Sequence, residues 1–236
     1  MTIGFQIRRR TRAASASQAA LFTDIPVANI SDCMNRLSAG GADVVLMNRD
    51  LTTKMSGPAL TVRTRPGDNL MVHKALGMVE PGDVLVVDAG GDLTNAIIGE
   101  IMVAAGIAKG LAGLVIYGAI RDASTLCTGS LPIFARGVTH RGPYKDGPGE
   151  INVPVGVGGM VINPGDLVVG DADGIVSIPL DSLDGVHAAA LRKGATEAIS
   201  LENSAAGSRD DSWVDKRLAA QGYRQPDTYE YESATR

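Results

Sequence analysis

Apolar residues recur along this chain with two different periods, and the switch between them lays out the fold. Over residues 57–64, small or apolar positions alternate with polar ones, the signature of a half-buried strand. Residues 69–78 change to helical spacing, with Leu70, Val72, Ala75 and Leu76 on the inward side. Val84-Leu85-Val86-Val87 is a short continuous apolar run after Pro81-Gly82-Asp83, and Ala89-Gly90-Gly91-Asp92 is a glycine turn behind it. A helical run through Gly99-Glu100-Ile101-Met102 follows, and then a second apolar strand at residues 113–118. Strand, turn, helix and strand of these lengths make a βαβ unit, whose strand ends and helix start are where ligands bind.

The flanks are read in the same way. Residues 13–22 favour helix and Thr23-Asp24-Ile25-Pro26 breaks it. Ser31-Asp32 is the expected cap of a second helix through Leu37, ended by Gly40-Gly41. Residues 131–136 read as a short strand, 142–149 as a long polar loop, and 153–157 and 160–162 as strand-like pieces. Asp171-Ala172-Asp173-Gly174 opens like a calcium loop but lacks the closing Glu, so a hairpin turn between 167–170 and 175–179 is expected. Residues 181–203 read as a helix with Leu183, Val186, Ala190 and Leu191 on one side. The pattern implies one α/β domain over residues 1–204 and a polar arm over 205–236. The lone Trp213 marks that arm as docking on the body or on a neighbouring subunit.

Composition narrows the classes. Aromatics are only 4% while glycine reaches 29 residues, so the core must be Val, Ile, Leu and Ala joined by tight turns. A net charge of −4 argues against a broad nucleic-acid surface. No apolar run approaches the roughly 20 residues of a membrane helix. Arg8-Arg9-Arg10-Thr11-Arg12 is followed by no long apolar segment, so it reads as a solvated helix start, not as a secretory signal or a phosphate-binding arm. Cys33 and Cys127 have neither metal spacing nor a disulfide framework. A cytoplasmic protein is expected.

The chemistry concentrates at Arg121-Asp122, just past the second strand of the βαβ unit. Arginine offers a fork for a carboxylate and aspartate a hard oxygen for a divalent cation, which suits a small, acidic, metal-chelating substrate. The bland reading is a surface ion pair of little energy. Gly99 admits two accounts. A helix from Thr94 to Lys109 tolerates it at about 1 kcal/mol. Alternatively the helix begins at Gly99-Glu100, after a loop, and the N–H groups of Ile101 and Met102 form an anion site. Gly90-Gly91 can serve as a backbone anion turn, but neither Gly-x-Gly-x-x-Gly nor a Walker lysine accompanies it. Of His73, His140 and His187, structural by default, only His73 stands before the acidic-ligand unit.

Together these features resemble the RraA-like family, which includes the 4-hydroxy-4-methyl-2-oxoglutarate/4-carboxy-4-hydroxy-2-oxoadipate aldolases. The resemblance covers roughly residues 20–200. It rests on an acidic residue separated by twenty residues from Arg-Asp (Glu100 to Arg121-Asp122) and on Gly142-Pro143-Tyr144-Lys145. Ile151-Asn152-Val153-Pro154-Val155 and the stretch from Pro164-Gly165-Asp166 to Asp173-Gly174 add to it. It implies an α/β sandwich resembling the phosphohistidine swivelling domain, assembled as trimers or hexamers. It also implies a Mg²⁺- or Mn²⁺-dependent class II pyruvate aldolase that decarboxylates oxaloacetate. Asp122 would then bind the metal directly, and Glu100 would hold its waters. Arg121 and the Ile101 and Met102 amides beside Gly99 would grip the pyruvyl group. Lys145 would meet the distal carboxylate, with His73 near the mouth. Glu197 of a neighbouring subunit, or else Glu202, would complete the site. Two departures stand out: Glu100 where the aldolases commonly have aspartate, and Tyr117 where many carry aspartate. The regulator branch of the family, which inhibits a ribonuclease by protein–protein contact, also has Tyr-Gly there but often lacks the aspartate after the arginine.

Overall fold

The computed structural model describes residues 3–223, which fall into two compact units that meet in sequence between Lys193 and Gly194. The helices are α1 (Ala16–Phe22), α2 (Val27–Cys33), α3 (Leu70–Leu76), α4 (Glu100–Ala108), α5 (Ala123–Leu126), α6 (Leu183–Ala205) and α7 (Ser212–Ala220). The strands are β1 (Val45–Leu46), β2 (Met55–Thr64), β3 (Val84–Asp88), β4 (Ala96–Ile98), β5 (Gly113–Ile120) and β6 (Ile133–Val138). Five more follow: β7 (Gly149–Ile151), β8 (Val155–Val157), β9 (Met160–Ile162), β10 (Leu167–Asp171) and β11 (Gly174–Ile178). The α/β class is as expected.

The main sheet runs β1-β6-β5-β3-β2-β10-β11, with β4 added to β5 and β7 to β2. Its centre is parallel: β2 pairs β3, β3 pairs β5, and β5 pairs both β6 and β4. Side chains of β3 and β5 alternate between two cores. Leu85, Val87, Leu114 and Ile116 pack with α3 and α4 residues such as Val72, Ala75 and Val103. Val84, Val86 and Val115 face the opposite way, onto Val155, Val157, Met160 and Ile162 of the β8–β9 pair. Burial on both faces is why β3 reads as an unbroken apolar run. A third core joins Phe22, Ile30, Val176, Ile178, Leu183 and Val186.

Several expectations need correction. The second helix is Val27–Cys33, so Ser31 and Asp32 lie inside it. Its first N–H, from Val27, is capped by the Asp171 carboxylate at 2.9 Å, a partner far away in sequence. It ends through Asn35 and Arg36, both in the left-handed region, and not at Gly40-Gly41. Residues 92–98 are not all loop, because β4 lies there, and β7 closes the polar loop. The basic run starts no helix. It is an extended segment in which Arg8 N–H donates to the Ile151 carbonyl at 3.0 Å. The nearly buried Arg10 pairs with Asp83 at 2.7 Å and Glu80 at 3.0 Å. The hairpin expected at Asp171–Gly174 is present, with Asp173 N–H donating to Asp171 Oδ1 at 2.9 Å.

The two Pro-Gly-Asp turns share one design. Each glycine has positive φ (92° at Gly82, 89° at Gly165), and each aspartate accepts the N–H three residues back. Asp83 takes Glu80 at 2.9 Å and Asp166 takes Asn163 at 3.0 Å. They differ in surroundings. A Cβ at Gly82 meets nothing within 4 Å, whereas at Gly165 it would strike the Arg12 carbonyl and Ala13 Cα. We predict that Gly82→Ala loses about 1–2 kcal/mol from the backbone alone, and Gly165→Ala about 3 kcal/mol. Urea unfolding checks the order, and a larger loss at Gly82 would refute it.

Candidate functional site

The site begins where β4 and β5 end side by side. Arg121 N–H donates to the Ile98 carbonyl at 3.0 Å, extending the parallel ladder by one step. The chain then turns through Asp122, at φ 59° and ψ 36°, a left-handed conformation that aspartate tolerates better than most residues. The turn carries the Asp122 carboxylate to the start of α4, where Oδ2 accepts the Glu100 N–H at 2.9 Å. A carboxylate is favoured there by the free N–H groups and by the helix dipole.

Gly99 is the N-cap of α4, so the helix starts at Glu100. Its φ of −148° is ordinary extended backbone. What requires glycine is space: a Cβ would lie 2.5 Å from Asp122 Oδ2 and 3.0 Å from both Arg121 Cγ and Nε. The Met102 and Val103 N–H groups both donate to the Gly99 carbonyl at 3.1 Å. Ile101 N–H therefore remains as the amide of this first turn without an acceptor among the described residues. Arg121 Nε and Asp122 Oδ2 are 3.9 Å apart, each side chain 42% exposed, a loose pair that a ligand can enter.

Opposite stand α3 and the loop of residues 142–149. Asp68, fully buried, ties them together: it accepts N–H donors from Leu70 at 2.9 Å, Asp146 at 2.8 Å and Gly147 at 2.9 Å. Tyr144 N–H to Gly67 O at 2.8 Å and Asn69 N–H to Tyr144 O at 3.0 Å hold the other side. Burial opposes the Asp68 charge. The three N–H donors and Arg65 outweigh it and hold the carboxyl below its ordinary range.

Between these walls lies a hollow of about 290 Å³, lined by Gly99, Ile101, Met102, Arg121, Asp122, Lys145 and His73. All seven come from the sequence reading. Glu100 is not among the lining residues, although its N–H meets Asp122; it borders a neighbouring apolar hollow with Val103, Ile107 and Leu126. Glu197 belongs to the second unit, where it lines a shallow groove with Leu201 and Trp213, and Glu202 lies on the same helix, α6. Partial desolvation, and then the Lys145 charge, push His73 below the ordinary histidine pKa, so the ring is neutral at pH 7. Among the described residues no group of three or more His, Cys, Asp or Glu could hold a metal. Any cation would depend on Asp122 and the ligand itself.

Asn69 also lines the hollow, and sequence reasoning missed it. The signal was there: Asp68-Asn69 before a helical run are capping residues. Which of the two caps, and what the other does instead, is settled only in three dimensions. Two cations, Arg121 and Lys145, face one carboxylate, Asp122. The volume sits near the lower end of small-molecule pockets, about 300–1,000 Å³. Charge and size together fit a small acid with more than one carboxylate.

Residues 27–177 match the RraA-like family, described as Aldolase/RraA. A protein of Halalkalibacterium halodurans, named provisionally as a 4-hydroxy-4-methyl-2-oxoglutarate aldolase, is 42% identical over 75% of this chain and 83% of its own. An uncharacterised Pseudomonas syringae pv. tomato protein of known structure is 27% identical with a TM-score of 0.74, over 84% of this chain and 96% of that one. Streptomyces coelicolor RraAS2, described as an unusual member of the RNase ES inhibitor RraA family, is 29% identical with a TM-score of 0.73 over 80% and 98%.

Two outcomes follow from the electrostatics. Lys145→Met removes a neighbouring positive charge, so the His73 titration followed by NMR moves upward; no movement would break the coupling. The stability that Asp68 contributes is complete above the ordinary carboxylate pKa of about 3.9 and is lost as pH falls through its lowered native value. Asp68→Asn removes this acid dependence and speeds hydrogen exchange at the Asp146 and Gly147 amides. Unchanged exchange there would mean that Asp68 does not hold the loop.

Proposed function

The chain belongs to the RraA-like family, and from that premise we propose that it is a divalent-metal-dependent pyruvate lyase. It would cleave 4-hydroxy-4-methyl-2-oxoglutarate-type 2-oxo acids to pyruvate and decarboxylate oxaloacetate. The observation that carries this reading is the convergence of Arg121, Asp122, the start of α4 and Lys145 on one hollow.

The residues fit Mg²⁺ or Mn²⁺. Asp122 Oδ2 is engaged by Glu100 N–H, while Oδ1 has no donor among the described residues and the side chain is 42% exposed. Mg²⁺ keeps several waters and needs only one or two protein carboxylates, so a single exposed aspartate suits it. Glu100, whose N–H donates to Asp122, would hold a water of that shell, as would Glu197 from a neighbouring subunit. When bound, the cation supplies Lewis acidity at the 2-oxo group.

The chain does the rest. The Arg121 fork grips the pyruvyl oxygens, and its charge offsets the enolate left by C3–C4 cleavage. Ile101 N–H, at the positive end of α4, binds the pyruvyl carboxylate, with Met102 N–H turning toward it from the Gly99 carbonyl. Lys145 at the other end meets the distal carboxylate. His73, neutral, stands at the mouth. In this reading residues 1–204 form the RraA-like body of a cytoplasmic trimer or hexamer, and the arm from 205 packs on the body or on a neighbour, without nucleic-acid or membrane partners. The notional arm beyond residue 223 lies outside the described residues.

The second reading, a regulator of ribonuclease activity acting by protein contact, is favoured by the structural likeness to RraAS2. Asp122 weighs against it. Pyruvate release from oxaloacetate and from 4-hydroxy-4-methyl-2-oxoglutarate, with Mg²⁺ and with EDTA, separates the two. Turnover is expected with Mg²⁺ only; Asp122→Ala loses the metal response, and Arg121→Ala lowers kcat about 10²–10³-fold. A folded protein that binds Mg²⁺ but releases no pyruvate from either substrate would sink the lyase reading and leave the regulator.

A further inference from the structure

The chain before α1 runs as a strap along β7. Gly149 N–H donates to the Gly4 carbonyl at 2.7 Å, Ile151 N–H to the Gln6 carbonyl at 2.8 Å, and Arg8 N–H to the Ile151 carbonyl at 3.0 Å. The Gly4 N–H meets the buried Glu150 carboxylate at 3.1 Å, and Asn152 Nδ2 donates to the Arg8 carbonyl at 2.9 Å. Three residues long, β7 therefore has β2 on one edge and the strap on the other. The family match begins at residue 27, so the strap lies outside the matched segment.

The strap also reaches the loop that runs into β7. A Cβ at Gly147 would lie 2.8 Å from Phe5 Cε1 and 3.1 Å from Cζ, so the Phe5 ring sits against the Gly147 backbone. A Cβ at Gly4 would lie 3.0 Å from Pro148 Cβ, which brings the strap against the next residue of the loop as well. Gly147 is thus held twice: its N–H donates to Asp68 at 2.9 Å, and the ring covers its Cα. Lys145, which lines the hollow with Arg121 and Asp122, stands two residues before it. Phe5 itself is 53% exposed, so little of the core depends on it.

We infer that Phe5 is a positioning residue for the hollow: by closing over Gly147 it completes the clamp that keeps Lys145 at the site. Its effect passes through the loop backbone, since Phe5 is not among the residues that line the hollow. A loop with glycines at 142, 147 and 149 has many conformations to lose, and a single anchor leaves part of that freedom in place. Lysine adds its own rotamer freedom, so fixing its base lowers the ordering that ligand binding must supply. The strap therefore sets how tightly the site holds the far carboxylate of its ligand. The inference rests on the pyruvate-lyase reading for the identity of that ligand, and the clamp on Lys145 can be tested without it.

Phe5→Ala removes the ring and leaves the backbone bonds of the strap. In the full-length, Mg²⁺-loaded protein it is expected to raise KM for 4-hydroxy-4-methyl-2-oxoglutarate about 3- to 10-fold, with kcat held within about twofold, the mark of lost binding and not of lost chemistry. Phe5→Leu keeps an apolar cover and should restore the wild-type KM. In a Lys145→Met background Phe5→Ala should have no further effect, because the group being positioned is gone. A rise of equal size in that background would mean a general loosening and overturn the inference, as would an unchanged KM in Phe5→Ala alone. A second readout needs no turnover. Desolvation and then the Lys145 charge lower the His73 pKa. Freeing Lys145 should therefore move the His73 NMR titration upward in Phe5→Ala, and Phe5→Ala should add nothing once Lys145 is methionine. A titration unmoved by Phe5→Ala overturns the inference too. Wild-type protein that turns over neither substrate defeats the lyase reading, and the His73 titration then still decides the clamp.

Discussion

The bond from Glu100 N–H to the Asp122 carboxylate, made across Gly99, is the contact on which the site depends. It joins the end of β5 to the start of α4, two points far apart in sequence, and it needs three conditions at once. β4 must lie parallel to β5 so that Arg121 can pair with Ile98. Asp122 must take a left-handed turn. Gly99 must have no side chain, because any Cβ would occupy the space of the carboxylate and of the Arg121 stem. The same contact keeps one carboxylate oxygen engaged and leaves the other without a donor among the described residues.

The second organising element is Asp68. Its buried carboxylate gathers N–H groups from α3 and from the loop of residues 142–149, so Lys145 and Asn69 are positioned by one anchor. The hollow thus has two rigid walls built by the same device, a carboxylate satisfied by backbone amides. Preorganised donors of this kind keep their orientation when charge develops. One wall carries Arg121 and a helix start, and the other carries Lys145. That division suits a dicarboxylic acid lying across the gap.

Much of this was legible in the sequence, and the reasons are local. β3 and β5 are buried on both faces, so they appear as unbroken apolar runs. The Pro-Gly-Asp turns carry their own cap, and Arg121-Asp122 follows a strong strand. What escaped was decided at long range. The first N–H of α2 is capped by Asp171, so the local Ser31-Asp32 signal misled. β4 and β7 are three-residue strands, too short for periodicity and stable only through their neighbours. Arg10 is drawn in by Asp83 and Glu80, which no charge count along the chain reveals. Asn69 escaped for the opposite reason: its local signal, an N-cap, has an adequate explanation that the structure shows to be false.

The two departures from the aldolase pattern carry unequal weight once their places are known. Tyr117 does not line the hollow. Its ring lies under the Arg136 guanidinium, 5.4 Å from the centroid, and Arg136 pairs with Asp43 at 2.6 Å and donates to the Gly91 carbonyl at 2.5 Å. Tyr117 is thus part of the support for the Gly90-Gly91 turn, and exchanging it for aspartate would change that support before it changed any group touching a ligand. Glu100 is different, because its backbone N–H makes the Asp122 contact while the residue also borders an adjacent apolar hollow. The backbone N–H would serve equally well from any residue type. The contact with Asp122 therefore fixes residue 100 as the first residue of α4 without fixing its side chain.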